Sequence, residues 1–214
     1  MSGESKFFIG IGVITLAIVA GGVFFFSKGK SPQSLGTSTV DKTQIIQDGK
    51  HTKGDPNAQI QIVEFADFQC PACAAAQPII NQALEKYSQN IYFVFRHYPL
   101  SSHRNAQTAA KAAEAAGAQG KFFEMADLLY TNQKEWEQDP NPREDFRKYA
   151  QQLNLNIDQF NKDLENDWEN IKSDYALGNS TEAQSTPTFF INGSMYPGVI
   201  PADKLESIIQ PLLK

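Results

Sequence analysis

Apolar and polar positions along the chain change character three times. From Phe7 to Phe26, "FFIGIGVITLAIVAGGVFFF", twenty residues carry no charge. At a helical rise of ~1.5 Å per residue this stretch spans about 30 Å, the thickness of a bilayer core. It is expected to be a transmembrane anchor at 7–26, after a short cytoplasmic N-terminus at 1–6. A cleaved signal peptide is the competing reading, but no small-x-small site follows Phe26. Residues 27–42 are rich in Ser, Gly, Thr and Lys with no apolar period, as in a flexible linker. Folded-domain patterning begins at residue 43 and runs to 214.

Within that domain Thr43–Gln47 suggests a short edge strand, and "KGDPNA" a turn. Ile60–Phe68, "IQIVEFADF", is β-branched and aromatic, the content of a buried strand. Pro71 suits a first helical position, and Ala74, Ala75, Ile79, Ile80 and Leu84 continue with helical spacing. Pro78 falls inside this helix and is expected to kink it. Asn90–Tyr98 is a second strand, so strand, helix and strand imply a parallel pair joined by a right-handed crossover. Helical patterns follow. Ala109, Ala112, Ala113 and Ala116 make a small-residue stripe, and "NPRE" (Asn141–Glu144) offers a cap, a proline and an acid at a helix start. Helix continues to Leu177, with Gly178 as terminator. "TPTFFINGSMYPG" returns to strand around Asn192-Gly193, a strong hairpin signal, and "PADKLESIIQPLL" closes the chain as a helix. The order is β-α-β, a helical block at about 101–180, then β-β-α. This is an α/β domain with a helical insertion.

A net charge of −5 and the lack of any long basic run exclude a nucleic-acid surface. The chain's two cysteines stand three positions apart, at Cys70 and Cys73. A structural disulfide closing so short a loop stabilises little. Cys70 precedes Pro71 and so caps the helix, where unpaired N–H groups and the helix dipole lower a thiol pKa. Cys73 lies one turn inward, within reach of a mixed disulfide formed at Cys70. The spacing therefore supplies an exposed attacking thiol and a sheltered resolving thiol, a redox couple. Zinc asks for about four ligands, and His51, His97 and His103 would have to converge on the cysteines to supply them. Haem attachment needs His after the second cysteine, where Ala74 stands.

Taken together, "EFADFQCPAC … HYPL … TPTFFING" and the central helical insertion resemble the DsbA family of extracytoplasmic thiol–disulfide oxidoreductases, of thioredoxin fold. The resemblance covers roughly Asp55 to Lys214. It implies that Glu64, six positions before Cys70, is a buried acid beneath the active site. The alternative is a strand carboxylate facing solvent, and the neighbours Ile62, Val63 and Phe65 favour burial. It implies that Thr186-Pro187 is a cis-proline loop binding substrate backbone, against a trans proline opening an edge strand. It places Pro71, Ala72 and Pro78 on the active-site helix, Pro78 as its kink. Two positions depart from the family: Ala72 stands where strong oxidants carry His, and Ser185 where glycine is frequent. His97 and His103 read as structural. The pairs Phe122–Phe123 and Phe189–Phe190 read as core or groove lining, and the acid-rich stretch from Glu135 to Glu169 as a solvated face.

The expected function is a membrane-anchored dithiol oxidase that introduces disulfides into exported proteins through Cys70 and Cys73. No cofactor or metal is expected beyond that redox-active pair. Exported cysteine-containing proteins would be the substrates, and the resemblance implies a quinone-linked membrane thiol oxidase as reoxidant. An oxidising couple belongs outside the cytoplasmic membrane. A reductase or isomerase of the same fold, and a tethered thiol metal chaperone or binding module, are the alternatives.

Overall fold

The computed structural model describes residues 42–213. The expected anchor at 7–26, and the linker up to residue 41, lie outside the described residues. Among the described residues no helix is long and apolar enough to cross a membrane.

Among the described residues five strands form one sheet in the order β1-β3-β2-β4-β5. They are β1 (His51–Lys53), β2 (Ile60–Ala66), β3 (Ile91–His97), β4 (Thr188–Ile191) and β5 (Ser194–Pro197). β2 and β3 are parallel, with Ile60 opposite Ile91 and Ala66 opposite His97. Helix α2 (Pro71–Lys86) makes the crossover between them and runs unbroken through Pro78. β4 pairs antiparallel with β2 and then with β5. The hairpin turns at Asn192 and Gly193 with φ of 47° and 87°, the two left-handed residues a tight turn of this hand requires.

Six helices fill the insertion between β3 and β4: α3 (Ala106–Gly117), α4 (Phe122–Thr131), α5 (Gln133–Trp136), α6 (Arg143–Gln152), α7 (Ile157–Leu164) and α8 (Glu169–Ser180). α6 opens at Arg143 with Pro142 at its cap, one residue later than "NPRE" suggests. The alanine stripe of α3 is fully buried and admits α4 and α7 closely. Helix α9 (Ala202–Ile209) closes the domain, its Leu205 and Ile209 buried.

Alternation along β2 divides the core. Ile60, Ile62 and Ala66 face α2 and the insertion. Val63 and Phe65 face a second cluster with Ile45, Val94, Tyr98 and Phe190. Glu64 shares the parity of Ile62 and Ala66, so the strand period aims it under α2.

The expected strand at Thr43–Gln47 is instead helix α1 (Lys42–Ile46). Its Ile45 is buried in the second cluster, and the edge position of the sheet goes to β1. Arg96 reaches from β3 to the end of this helix, donating to the carbonyls of Ile45 (3.1 Å) and Gln47 (2.5 Å). The same guanidinium pairs with Asp174 of α8 at 2.7 Å. A cation on open C-terminal carbonyls stabilises a helix that five residues could not hold alone.

Candidate active site

The turn between β2 and α2 is held from both sides before it reaches the cysteines. Asp67 Oδ1 accepts from the Gln69 N–H at 2.7 Å, and its Oδ2 accepts from the Leu100 N–H at 2.9 Å. His103 Nδ1 lies 2.6 Å from the same Oδ2. From the insertion, Gln133 Nε2 donates to the carbonyls of Phe68 at 2.7 Å and Cys70 at 3.1 Å. Gln69 spans the same gap, donating to the Glu137 carbonyl and accepting from the Asn105 N–H. The Cys70 N–H donates to the Asp67 carbonyl at 3.1 Å, which places Cys70 at the cap of α2 with Pro71 following.

Cys70 and Cys73 are both free thiols. Cys73 is fully buried, as its inward position implies, and Cys70 is only 6% exposed. The attacking thiol is thus more sheltered than its cap position suggests, because the Thr186 loop folds over it. The Cys70 thiol donates to the Thr186 carbonyl at 3.3 Å, and the Thr186–Pro187 bond is cis. The Thr186 hydroxyl is buried and has no hydrogen-bond partner among the described residues.

The neighbouring Cys73 thiol most of all, and then the Thr186 side chain and the peptide groups of Cys73 and Ala72, favour the Cys70 thiolate by more than burial opposes it, and its pKa falls to about 5. The Ala72 side chain has nothing to donate, and only its peptide group favours the thiolate. Burial pushes Cys73 well above the ordinary thiol range, and its bond to Cys70 and the nearby Glu64 add to the shift. Glu64 is buried as expected. Burial first, then the charge at Cys70, pushes its carboxyl up to about 8. The three groups therefore divide the work at neutral pH: a thiolate at Cys70, a thiol at Cys73 and a protonated acid at Glu64.

The histidines go elsewhere. His103 orients Asp67, as above, while His51 and His97 meet Glu114, a pair of contacts that sequence spacing did not show. Glu114 Oε1 accepts from His51 Nε2 at 2.5 Å, His97 Nε2 at 2.8 Å and Asn170 Nδ2 at 2.6 Å. Its Oε2 accepts from Lys50 Nζ at 2.6 Å. Two histidines and a carboxylate have the composition of a metal site. Here, though, donors already occupy the carboxylate, and the Lys50 ammonium holds the place a cation would take. Burial alone would raise Glu114, but the bonds from His51 and His97 hold it well below the carboxylate range. The cluster joins β1, β3, α3 and α8, and so locks the insertion to the sheet. Of the aromatic pairs, Phe122 and Phe123 pack against β3 and Phe189 and Phe190 lie in the core, one on each face of the sheet.

Asp67, Gln69, Asn105 and Gln133 were not legible as site residues. Apart from the bond between Asp67 and the Gln69 N–H, their side chains meet partners 31 to 68 residues away, and no local pattern marks them.

A dithiol pair capping the helix after the first parallel strand, with a cis-proline against its first sulfur and a buried acid beneath its second, defines a thioredoxin-fold domain with a redox-type centre. The profile of the family described as Thioredoxin matches residues 47–211. The chain belongs to that family. Among solved structures, it is similar to the thiol-disulfide exchange protein alpha-DsbA2 of Wolbachia pipientis. That match has a TM-score of 0.69 and 21% identity, and covers 80% of this chain and 91% of that one. BdbD of Bacillus subtilis gives 0.68 and 20% over 84% of this chain and 97% of that one. These likenesses show the fold. Curated relatives include the Na(+)/H(+) antiporter NhaA 3 of Salinispora tropica, 36% identical over 168 residues and 77% of this chain. NhaA 1 of Mycobacterium sp. strain KMS is 33% identical over 172 residues and 78% of this chain. The chain spans about a quarter of the length of these relatives, 25% and 27%.

Proposed function

We propose that this domain is a DsbA-like dithiol oxidase. The observation that carries the reading is the Cys70 thiolate, held near pKa 5 beside a buried thiol and a buried protonated acid. Whatever stabilises the reduced form of a couple makes its disulfide a better oxidant. A substrate thiolate attacks the Cys70 sulfur, because Cys73 is closed to solvent. The Cys70–Cys73 bond breaks and its electron pair leaves on Cys73, which takes a proton from Glu64. A second substrate thiolate then attacks the substrate sulfur of the mixed disulfide. Cys70 departs as a low-pKa leaving group, and the substrate leaves with its disulfide. Two electrons remain on the enzyme. Thr186 and Pro187, against Cys70, are the residues proposed to bind substrate backbone, with Pro71, Ala72 and Pro78 shaping the active-site helix.

In this reading the domain faces an oxidising, extracytoplasmic compartment, tethered by the apolar segment at 7–26. Its substrates are exported cysteine-containing proteins, and a quinone-linked membrane thiol oxidase removes the electrons. The relatives named antiporters are about four times as long as the matched region, and nothing at the Cys70 centre suits ion exchange.

Two measurements test the proposal. Cys73→Ser should accumulate mixed disulfides through Cys70; stoichiometric Cu(I) uptake in their place would indicate a thiol metal carrier. Equilibration with glutathione should give a potential between the about −120 mV of DsbA and the about −270 mV of thioredoxin, nearer the former. A value at or below the latter would make the protein a reductase.

A further inference from the structure

The loop that follows β3 takes no part in the exchange just described, yet it is bonded to the turn that carries Cys70. β2 and β3 are parallel, so the segments leaving them, 67–70 and 98–105, emerge at one edge of the sheet. The Tyr98 N–H donates to the Ala66 carbonyl at 2.8 Å, and Asp67 Oδ2 meets both the Leu100 N–H and His103 Nδ1, at 2.9 and 2.6 Å. The Asn105 N–H donates to Gln69 Oε1 at 2.6 Å. Against this loop lies a cleft of about 460 Å³, with Leu100, His103 and Arg104 on one wall and Ile171, Lys172 and Tyr175 of α8 on the other. The α8 wall is held as firmly as the first. Asp174 accepts from Arg96 and from the His97 N–H, and the Tyr175 ring stacks on Tyr98 with centroids 4.8 Å apart. Gly178, inside α8, lets the helix lie on Tyr98, where a Cβ would come within 2.6 Å of the ring. The cleft is therefore formed before anything enters it, and its size is that of a ligand pocket.

Its charge is of one sign. His103, Arg104 and Lys172 line it and no carboxylate does, in a chain whose net charge is −5. Asp67 lies behind the wall, fully buried and already bonded. Lys172 is shared with Asp167 at 2.5 Å and Glu169 at 3.8 Å. Arg104 has no ion pair or hydrogen bond among the described residues. A concave site with one sign of charge concentrates its field and draws the opposite sign, and a guanidinium with all its donors free suits a carboxylate. Leu100, Ile171 and the 37% exposed Tyr175 give apolar surface to cover the stem of an acidic side chain.

We propose that this cleft receives an acidic segment of the substrate polypeptide, with a carboxylate on Arg104, while the substrate cysteine engages Cys70. The proposal rests on the reading of Cys70 as the sulfur that substrate thiolates attack. Asp67 stands three positions from Cys70 and directly behind the cleft wall. An extended peptide advances ~3.3 Å per residue, so a chain joined at Cys70 reaches the cleft within roughly five residues of its cysteine. Thr186 and Pro187 hold the backbone beside the sulfur, and the cleft reads side chains further along. Charge complementarity of this kind acts mainly on encounter, so the preference belongs to the rate of attack and is screened by salt.

Two peptides test this, each with a cysteine pair and with either glutamates or glutamines at the flanking positions. Their rates of oxidation by the full-length protein, in uncharged detergent, are each divided by that peptide's rate with hydroxyethyl disulfide. The division removes the effect of neighbouring charge on the cysteines themselves. The acidic peptide should be favoured about fivefold at low salt, and the two should converge at about 0.5 M salt. Arg104→Gln should reduce the preference to about twofold, and Arg104→Glu should reverse it. Lys162→Glu, exposed on α7 and outside the cleft, changes the net charge as much and should leave the preference in place. Equal rates for the two peptides in the wild type would overturn the proposal. So would a preference that Lys162→Glu lowers as far as Arg104→Glu does, which marks the charge of the whole protein. Fluorescence anisotropy of labelled serine analogues measures binding without exchange and should follow the same order. If both peptides are oxidised at equal rates and their analogues bind equally, the inference fails alone. If the acidic analogue binds through Arg104 while neither cysteine peptide is oxidised, the underlying reading fails.

Discussion

Glu64 and Glu114 are both buried glutamates on the insertion side of the sheet, 6% and 0% exposed, and they hold their protons in opposite ways. Glu114 meets four donors, from His51, His97, Asn170 and Lys50, and stays ionised. Among the described residues nothing donates to Glu64. Burial and the charge on Cys70 act on it alone, and its carboxyl rises to about 8. Desolvation penalises both; the supply of donors decides which of them ionises. A saturated carboxylate fixes elements in place. A starved one keeps a proton that neighbouring chemistry can take.

The largest expected effect is at the reacting sulfur: Cys70→Ser should remove all turnover in a substrate-oxidation assay. Residual exchange through Cys73 alone would contradict the division of roles. In the lock, Glu114→Ala should lower stability by about 3–5 kcal/mol in urea unfolding, because its buried donors lose their shared acceptor. The folded fraction should still titrate Cys70 near pH 5 by thiolate absorbance; a moved titration would show the two clusters to be coupled.

Glu64→Gln sharpens the contrast through pH. The folded pKa of Glu64, about 8, lies above the ordinary 4.5. Its favourable contribution is therefore complete below pH 4.5 and is lost as pH rises towards 8. The glutamine variant should match the wild type at pH 4 and exceed it in stability by on the order of 4 kcal/mol at pH 8. A difference independent of pH would mean that Glu64 is not held protonated. Smaller still, Lys50→Ala should cost less than about 1 kcal/mol, since its side chain is 44% exposed and Glu114 keeps three other donors. A larger loss, seen in the same unfolding assay, would make Lys50 a structural cation of the lock.

What could be read from the sequence was local. Cys70 at a strand–helix junction before Pro71, the apolar neighbours Ile62, Val63 and Phe65 that favour burial of Glu64, and the Asn192-Gly193 hairpin all depend on residues within a few positions of one another. Period and cap chemistry determine such features before any tertiary contact forms. The cis bond at Pro187 was legible only through family likeness, since either isomer suits a lone Thr-Pro. The tertiary structure decided what depends on distant partners. Ile45 and Ile46 look like strand residues, but the sheet's second face and Arg96 make that segment a helix. His51 and His97 are 46 residues apart, and a carboxylate 63 and 17 residues further on gives them a common purpose. Gln133 reaches back 63 residues to hold Cys70, and the shelter over that thiol comes from a carbonyl 116 residues away. Polar side chains carry no periodic signal, so their partners emerge only when packing brings the strands, the insertion and the proline loop to one place.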